Sequence, residues 1–388
     1  MFICFPFSLL LAQTPQFSGP IFQGIVQHNE IDEASGIAAS VLNTDILWTH
    51  NDSGDSARIF AMNIHGQHRG TVTLAGAENR DWEDIAVGPG PATDIPYIYV
   101  ADIGDNNSRY STKYIYRFPE PIFSSSEAVH DTTITNFARI KFQLQDGARD
   151  TETLLSDPSN GDLYIISKRE TNVRVYRLTS PLDTTNLMIA HYVATLPITY
   201  IVGGDISHSG DEILLKTYTN IFYWRRDKSK PLWESLTATP DTLPYTPEPQ
   251  GEAICWAKND SGFFTVSEEI ANIPANLFFY QRLHTSGMKI HPDRRINFFL
   301  GQNFPNPFNQ LTKIPFSLTT PARAKLQIFN LPGECIATLL DENINAGIHF
   351  AIWDGKNLAN NLVSSGCYVY QLSVNHKKCQ TGKLLFLK

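Results

Sequence analysis

The feature of this 388-residue chain that most constrains its fold is a long-period repeat across residues 33–257. Each unit begins with an acidic residue, which is followed by small or apolar residues, a polar turn and a strand rich in aromatic residues. Units of roughly 40–50 residues with four short strands are typical of β-propeller blades. We therefore predict an all-β protein in which residues 20–283 form a five-bladed β-propeller. A six-bladed ring with one degenerate blade is the alternative. The units start at intervals of 50, 69, 53 and 47 residues, at Glu33, Glu83, Glu152, Asp205 and Glu252.

Short strands separated by polar turns fill this region, and no helical periodicity interrupts them. Clear examples are RIFAMN (58–63) and EILLKT (212–217). The longest interval between units contains an insertion at 121–134, which we interpret as a long loop. We expect the segment IFQGIVQ (21–27) to supply the outer strand of the last blade, because that pairing closes the ring and leaves no open sheet edge.

The charge of the chain is unevenly distributed and argues against one class of partner. The net charge is −8, and residues 300–388 carry eight basic against four acidic side chains, which leaves −12 on residues 1–299. Proteins that bind nucleic acid through a basic surface have the opposite balance, so we expect no nucleic-acid partner.

The N-terminal residues 1–12, MFICFPFSLLLA, are almost wholly apolar and are followed by polar QTPQ. Twelve residues are too few to span a bilayer, but they fit the apolar part of a secretory signal. We assign 1–19 to a signal peptide and spacer and 284–299 to a linker. No other stretch reaches 18 apolar residues, so we expect no transmembrane segment. We also expect a monomer.

A second all-β unit follows at residues 300–388, with LGQNFPNPFN (300–309), KLQIFNLPGE (325–334), AGIHFAIWDGKN (346–357) and SSGCYVYQLS (364–373) ahead of a terminal strand. This series resembles the type A C-terminal sorting domain of the type IX secretion system of Bacteroidetes and related bacteria. The resemblance implies an immunoglobulin-like β-sandwich that the type IX secretion machinery recognises. It also implies export by a signal peptide and a mature protein that is secreted or lies on the outer cell surface.

The propeller region has its own, looser resemblance. The segments EASGIA (33–38), WEDIAVG (82–88), IYVADIGDN (98–106) and QGEAICWA (250–257) are loosely similar to propellers of the SMP-30/gluconolactonase and esterase-like phytase types. This resemblance concerns blade architecture and transfers no mechanism. The sequence contains no P-loop, GxGxxG, GxSxG or HExxH motif, so it provides no complete catalytic constellation.

Charged residues recur at two positions of the predicted blades, the start of the inner strand and the end of the second strand. In an antiparallel blade both positions lie on the same rim, so we expect these side chains to converge around one mouth of the central channel. The candidate ligand-binding residues are Glu33, Asp52, Glu83, Asp84, Asp102, Asp105, Arg109, Glu152, Lys168, Asp205, Lys216, Glu252 and Glu268.

A hard cation would resolve the repulsion among these carboxylates. Like charges at short range raise each other's pKa, and Ca²⁺ is coordinated by carboxylate and carbonyl oxygens. We therefore expect calcium as the cofactor, if any, in a site formed by Glu33, Glu83, Glu152, Asp205 and Glu252.

Several alternatives remain open at the level of the sequence. Polar residues at such turns also cap backbone groups or bind buried water, and basic residues near the rim either pair with the carboxylates or hold an anionic ligand. We therefore expect a propeller of unknown ligand that is exported by the type IX secretion system, with an acidic channel mouth as the candidate site for a metal ion, a small molecule or a glycan. The alternatives are an extracellular calcium-dependent hydrolase of an ester, lactone or phosphate, and a surface protein with a structural or interaction role and no small ligand.

Overall fold

The computed structural model describes residues 14–124, 128–269, 275–283, 298–300, 303, 305–318, 321–345, 347–375 and 377–388. Residues 1–13 of the predicted signal peptide and spacer (1–19) lie outside these ranges, as does the predicted linker (284–299) except for its last two residues. Strands dominate the described part, which also contains a short helix, α1 (Leu232–Leu236). None of the helices in these ranges is long and apolar enough to cross a membrane.

The N-terminal part consists of 22 strands in chain order. They are β1 (Gln16–Phe17), β2 (Ile21–Ile25), β3 (Ala34–Ala39), β4 (Ile46–Asn51), β5 (Arg58–Asn63), β6 (His68–Leu74), β7 (Trp82–Pro89), β8 (Pro96–Asp102), β9 (Lys113–Pro119), β10 (Thr132–Ile134), β11 (Ala138–Leu144), β12 (Thr151–Ser156), β13 (Leu163–Ser167), β14 (Val173–Leu178), β15 (Met188–Leu196), β16 (Ile201–Ile206), β17 (Glu212–Thr217), β18 (Ile221–Arg225), β19 (Asp241–Leu243), β20 (Ala253–Trp256), β21 (Gly262–Val266) and β22 (Asn276–Leu283).

These strands form five antiparallel meanders in the described residues: β3–β6, β7–β9 with β11, β12–β15, β16–β19, and β20–β22 with β2. The first strand of each meander contacts the first strand of the next, and β20 contacts β3, so the inner strands form a closed cycle. β12 and β20 are buried at every residue, because both faces of an inner strand pack against neighbours. Outer strands such as β6 and β11 instead alternate between buried and more exposed residues. This arrangement is a β-propeller.

The N-terminal strand closes the ring as the sequence predicted. β2 pairs antiparallel with β22, with Ile21 opposite Phe279 and Ile25 opposite Asn276. β1 pairs with the other end of β22 and lies within the segment that we assigned to the spacer. β2 also runs directly against the turn after β5, since a Cβ atom at Gly24 would lie 2.0 Å from the carbonyl oxygen of His65.

Two further pairings differ from a simple propeller. β11 pairs in parallel with β15, which merges the second and third meanders into one eight-stranded sheet. The insertion at 121–134, predicted to be a loop, contains β10, which adds in parallel to the outer edge of β6. This pairing covers an edge that would otherwise be open.

The C-terminal part contains β23 (Phe298–Leu300), β24 (Thr312–Leu318), β25 (Ala322–Phe329), β26 (Cys335–Ile344), β27 (Gly347–Trp353), β28 (Gly366–Val374) and β29 (Lys377–Phe386). They form a three-stranded sheet in the order β23-β24-β27 and a four-stranded sheet in the order β26-β25-β28-β29. The two sheets share one hydrophobic core, to which β24 contributes Phe316 and β25 contributes Leu326. The first of these strands begins at Phe298, inside the predicted linker.

Candidate functional site

Acidic side chains from several blades lie together at the end of the channel where the inner strands begin. Glu83 and Glu152 are the second residues of β7 and β12, and Asp81 and Asp150 immediately precede these two strands. Three further carboxylates lie close enough to repel one another: Glu252 precedes β20, and Asp52 and Glu268 follow β4 and β21. We call this group the acidic mouth; its members are Asp52, Asp81, Glu83, Asp150, Glu152, Glu252 and Glu268.

Glu83 is the centre of the acidic mouth. It forms one triad with Asp52 and Asp81 and a second triad with Asp150 and Glu152. Within each triad, one carboxylate oxygen from every residue lies within 4.8 Å of the others. The loop after β8 approaches this group so closely that a Cβ atom at Gly104 would lie 2.1 Å from Glu83 Oε1. The absence of a side chain there leaves room for the two triads to share one carboxylate.

The carboxyl groups of Glu83 and Glu152 are buried and hydrogen-bonded to each other. Burial, followed by repulsion from Glu152, raises the pKa of Glu83 well above its usual range. Burial also raises the pKa of Glu152, to about 7, against the opposing attraction of Lys168. The hydrogen bond between the two groups adds to the raised pKa of Glu83 and opposes the rise in the pKa of Glu152.

Two other members of the acidic mouth show the same effect. Burial raises the pKa of Asp52 to about 6 and that of Glu268 to about 8, and repulsion from Glu252 contributes to both shifts. Glu268 accepts a hydrogen bond from Gln250 Nε2 at 2.7 Å. Several acids of the group thus retain protons at a pH at which carboxyl groups in water are ionised.

A lysine neutralises part of this charge. Lys168 Nζ lies 2.8 Å from Glu152 Oε2 and 3.8 Å from Glu252 Oε1. Burial lowers the pKa of Lys168, but the attraction of the two carboxylates outweighs it, so that the pKa is raised overall. Tyr218 donates its hydroxyl hydrogen to Glu252 Oε1 at 2.5 Å.

Three more basic groups border the acidic mouth. Arg169 Nε donates to Asp150 Oδ2 at 2.5 Å. Lys113 and Lys216 are fully buried, and each donates a hydrogen bond to a backbone carbonyl, Ile103 for the first and Gly251 for the second. Burial lowers the pKa of both lysines to about 8. The basic residues therefore pair locally, and the acidic mouth retains more acids than bases.

Other predicted site residues accept hydrogen bonds from backbone N–H groups, within loops or between neighbouring blades. Asp84 Oδ2 accepts a hydrogen bond from the backbone N–H of Leu154 at 2.9 Å, which ties β7 to β12. Asp102 Oδ1 accepts one from the backbone N–H of Asp81 at 2.9 Å. Asp105 accepts hydrogen bonds from two backbone N–H groups of its own loop, at Arg109 and Tyr110, and the side chain of Arg109 is exposed.

The structure does not place Asp205 where the predicted metal site required it, and it places Glu33 only beside the two triads. Glu33 immediately precedes β3, and its charge contributes to the raised pKa values of Asp52 and Glu268, but it is exposed and belongs to neither triad. Asp205 was predicted to begin its inner strand, but β16 begins at Ile201 and Asp205 is its fifth residue. It therefore lies at the opposite end of the channel, where it lines a cavity. Lys216 is at the acidic-mouth end of the fourth meander, because it pairs with Gly203 near the start of β16.

Two central carboxylates, Asp81 and Asp150, were missed by the sequence reasoning. A signal was present, because the pattern Arg-Asp-x-Glu occurs twice, at 80–83 and at 149–152. Each copy places one aspartate before the inner strand and one glutamate in its second position. Lys113 was also missed, and it lies on β9, where no pattern in the sequence marks it.

No protein-family model matches this chain, and no curated protein matches it. Among solved structures, one similar chain is PorZ, described as an essential bacterial surface component of the type IX secretion system of Porphyromonas gingivalis. It is 14% identical, with a TM-score of 0.32 over 92% of this chain and 52% of that chain. The present chain therefore spans about half the length of PorZ.

Two further solved structures are similar at the same low level. The WD40 repeats of RRP9 are 9% identical, with a TM-score of 0.33 over 64% of this chain and 80% of that chain. A chain of the mitotic checkpoint complex is 10% identical, with a TM-score of 0.31 over 63% of this chain and 60% of that chain. Similarities of this size carry no information about ligand or activity.

Proposed function

We propose that this chain is an exported five-bladed β-propeller that binds a divalent cation, calcium, at its acidic mouth. The observation that carries the proposal is the position of Glu83, a buried carboxyl group shared by two carboxylate triads. Each meander is taken as one blade, because the cycle of inner strands closes after five and the last meander receives its outer strand from β2.

The donor set fits calcium. Ca²⁺ takes six to eight oxygen ligands at roughly 2.3–2.6 Å, from carboxylates in one- or two-oxygen contacts, backbone carbonyls and water. The two triads offer five carboxyl groups, that of Glu83 and four others. Burial and repulsion raise the pKa of Glu83 and Glu152, which means that ionisation of these groups is disfavoured without a compensating cation. A bound cation would ionise them, so binding would release protons. Without the cation, the ammonium group of Lys168 compensates part of the charge of Glu152 and Glu252.

Thermal unfolding of the full chain with calcium or with a chelator tests the cation site. At a Ca²⁺ concentration of about 100 times Kd, the stabilisation is about 2.7 kcal/mol, which corresponds to a rise in Tm of about 5 °C for a propeller of this size. Glu83→Gln keeps the shape of the side chain but loses the shared charge, and we expect it to abolish the shift. Glu234→Gln, on α1 outside the acidic mouth, is the matched control and should retain it. An unchanged shift in Glu83→Gln would refute the assignment.

We also propose that residues 300–388 are an immunoglobulin-like sorting domain read by the type IX secretion machinery. The sequence motifs that carry the resemblance meet in one core, which supports this assignment. Phe308 of the first motif packs on Trp353 of the third at 5.6 Å between ring centroids and on Phe386 of the terminal strand at 5.0 Å. Asn306 Oδ1 accepts a hydrogen bond from the backbone N–H of Leu385 at 2.8 Å.

Localisation of the chain in a bacterium that has the type IX system tests this second part. We expect the full chain to reach the cell surface or the medium, and a chain that ends at residue 297 to remain in the periplasm. Glu83→Gln serves as the control, because a change at the acidic mouth should not alter sorting. Surface delivery of the truncated chain would contradict the proposal without affecting the calcium site.

A further inference from the structure

A cavity of about 430 Å³ lies at the opposite end of the channel, where the inner strands end. All five inner strands contribute to its wall. The volume falls within the usual range of small-molecule sites, which is roughly 300–1,000 Å³. Short side chains and glycines at the strand ends create the space, and the wall includes Ala38, Val87, Ser156, Asp205 and Trp256.

One polar group of this wall lacks a hydrogen-bond partner. Ser156 is the last residue of β12 and is 7% exposed, and its Oγ has no partner among the described residues. The hydroxyl lies against Gly88, another wall residue, where a Cβ atom would be 2.0 Å from Ser156 Oγ. A buried hydroxyl without a partner is unfavourable, so a ligand that supplies one is stabilised.

The second polar group is Asp205, which is enclosed by the protein and partly accessible from the cavity. Its oxygens accept hydrogen bonds from the backbone N–H groups of Ile206 and Trp256, each at 2.8 Å. Burial raises its pKa to about 7, and repulsion from Asp260 adds to the shift.

Among the described residues, no cation compensates the carboxylate of Asp205. In the described ranges, no Lys, Arg or His forms an ion pair with Asp205. The two basic residues that line the cavity, His208 and Lys258, are exposed at its rim, and so is the acidic Asp94. A carboxylate without a counter-ion in an apolar wall favours a cationic ligand.

We propose that this cavity binds a small organic amine, with the ammonium group on Asp205, a second N–H donated to Ser156 Oγ, and the apolar part against Val87 and Trp256. The site is separate from the acidic mouth, lies at the other end of the channel and does not depend on calcium. The backbone hydrogen bonds to Asp205 fix the carboxylate in place before the ligand arrives, so binding needs no reorganisation of that group.

Calorimetric titration of the full chain with benzylamine tests the site. We expect saturable binding with a Kd of about 1 mM, which is ordinary for a ligand of this size. Benzyl alcohol, which has the same ring without the charge, should bind at least tenfold more weakly. No saturation up to about 20 mM benzylamine would overturn the proposal, and equal binding of the alcohol would overturn the assignment to amines.

Variants localise the binding. Val41 lines the cavity from the loop after β3, so Val41→Phe fills it and should weaken benzylamine binding at least tenfold. Leu42→Phe, on the same loop but outside the cavity wall, should stay within twofold. Ser156→Ala leaves the cavity open and should weaken binding several-fold even if Val41→Phe does not fold. Glu83→Gln should bind benzylamine normally, which separates this site from the calcium site; unchanged binding in both cavity variants would contradict the proposal.

Discussion

Lys168 and Glu152 form a buried ion pair, with Nζ 2.8 Å from Oε2, and the same ammonium group reaches Glu252 at 3.8 Å. The side chain of Lys168 is 9% exposed and that of Glu152 is 2% exposed. The positive charge of Lys168 thus contacts acids from two blades and competes with a metal ion for them. Removal of this charge should therefore lower the stability of the metal-free protein and raise its affinity for a metal ion.

We expect Lys168→Met to lower the free energy of unfolding of the apo protein by about 3–5 kcal/mol, because it leaves buried carboxylates without their partner. The same change should tighten Ca²⁺ binding about tenfold, since a competing charge is gone. Unfolding in chelator and calorimetric titration with calcium measure the two effects.

The matched control is Lys228→Met, which breaks an exposed ion pair with Asp211. Exposed pairs contribute about 0–1 kcal/mol, so this variant should be nearly as stable as the wild type. If Lys168→Met weakened calcium binding while remaining folded, the lysine would be a partner of the ligand and not its competitor.

The raised carboxyl pKa values predict that the apo protein loses stability as pH rises from 6.5 to 7.5. The folded state holds protons on Glu152 and Glu268, with pKa values of about 7 and 8, that the unfolded chain has already released. Unfolding therefore releases protons in this window and becomes more favourable as pH rises. His50 and His68, with pKa values lowered to about 4, are neutral in the folded state but partly protonated in the unfolded chain at pH 6.5, so they oppose this loss, as do Lys113 and Lys216 with pKa values lowered to about 8. We expect the carboxyl groups to outweigh them.

Glu152→Gln tests this effect, because it removes one of the two carboxyl groups that lose their protons in this pH range. Denaturant unfolding in chelator at the two pH values should show a loss of stability smaller by about 1 kcal/mol in the variant. Equal losses in the two proteins would mean that Glu152 is ionised in the apo state.

Asp84 is expected to matter for stability and not for cation binding. Asp84→Ala leaves the buried N–H of Leu154 without its acceptor, which should cost about 1–3 kcal/mol. The calcium affinity of the folded variant should stay within twofold of the wild type. A large loss of affinity at unchanged stability would place Asp84 among the ligands.

Closure of the ring by β2 is tested at Gly24. Gly24→Ala places a Cβ atom 2.0 Å from the carbonyl oxygen of His65, so the strand must shift and the melting temperature should fall by several degrees. Gly19→Ala is the matched control, since nothing lies within 4 Å of the added atom. Similar melting temperatures for the two variants would contradict the close approach of β2 to the turn.

The strands were predictable from the sequence because their patterns are local. The segment 58–63 matches β5 and the segment 212–217 matches β17, since apolar runs and polar turns mark the ends of strands. Closure by β2 was predictable from the need to cover an edge. The parallel pairings of β10 and β11 were not, because nothing in a single strand specifies its partner across a long insertion.

The acidic mouth was predictable in its general position but not in its membership. Glu83 and Glu152 were identified because an acid at the start of an inner strand reaches the rim wherever the blade lies. The prediction aligned the fourth repeat wrongly by taking Asp205 as the first residue of its inner strand. β16 instead begins at Ile201, four residues earlier, with glycines at 203 and 204. A displacement of four residues along a strand moves a side chain to the other end of the channel. Lys113 lies on β9, the third strand of its meander, and only the folding of the chain brings it near Glu83.

Calorimetric titration of the full chain with Ca²⁺ at pH 7, in two buffers with different enthalpies of ionisation, tests the calcium site most directly. The difference in observed heat gives the number of protons released. We predict saturable binding with release of about one proton per ion, lost in Glu83→Gln and retained in Glu234→Gln. Absence of binding at millimolar Ca²⁺, or binding that persists unchanged in Glu83→Gln, would contradict this account of the acidic mouth.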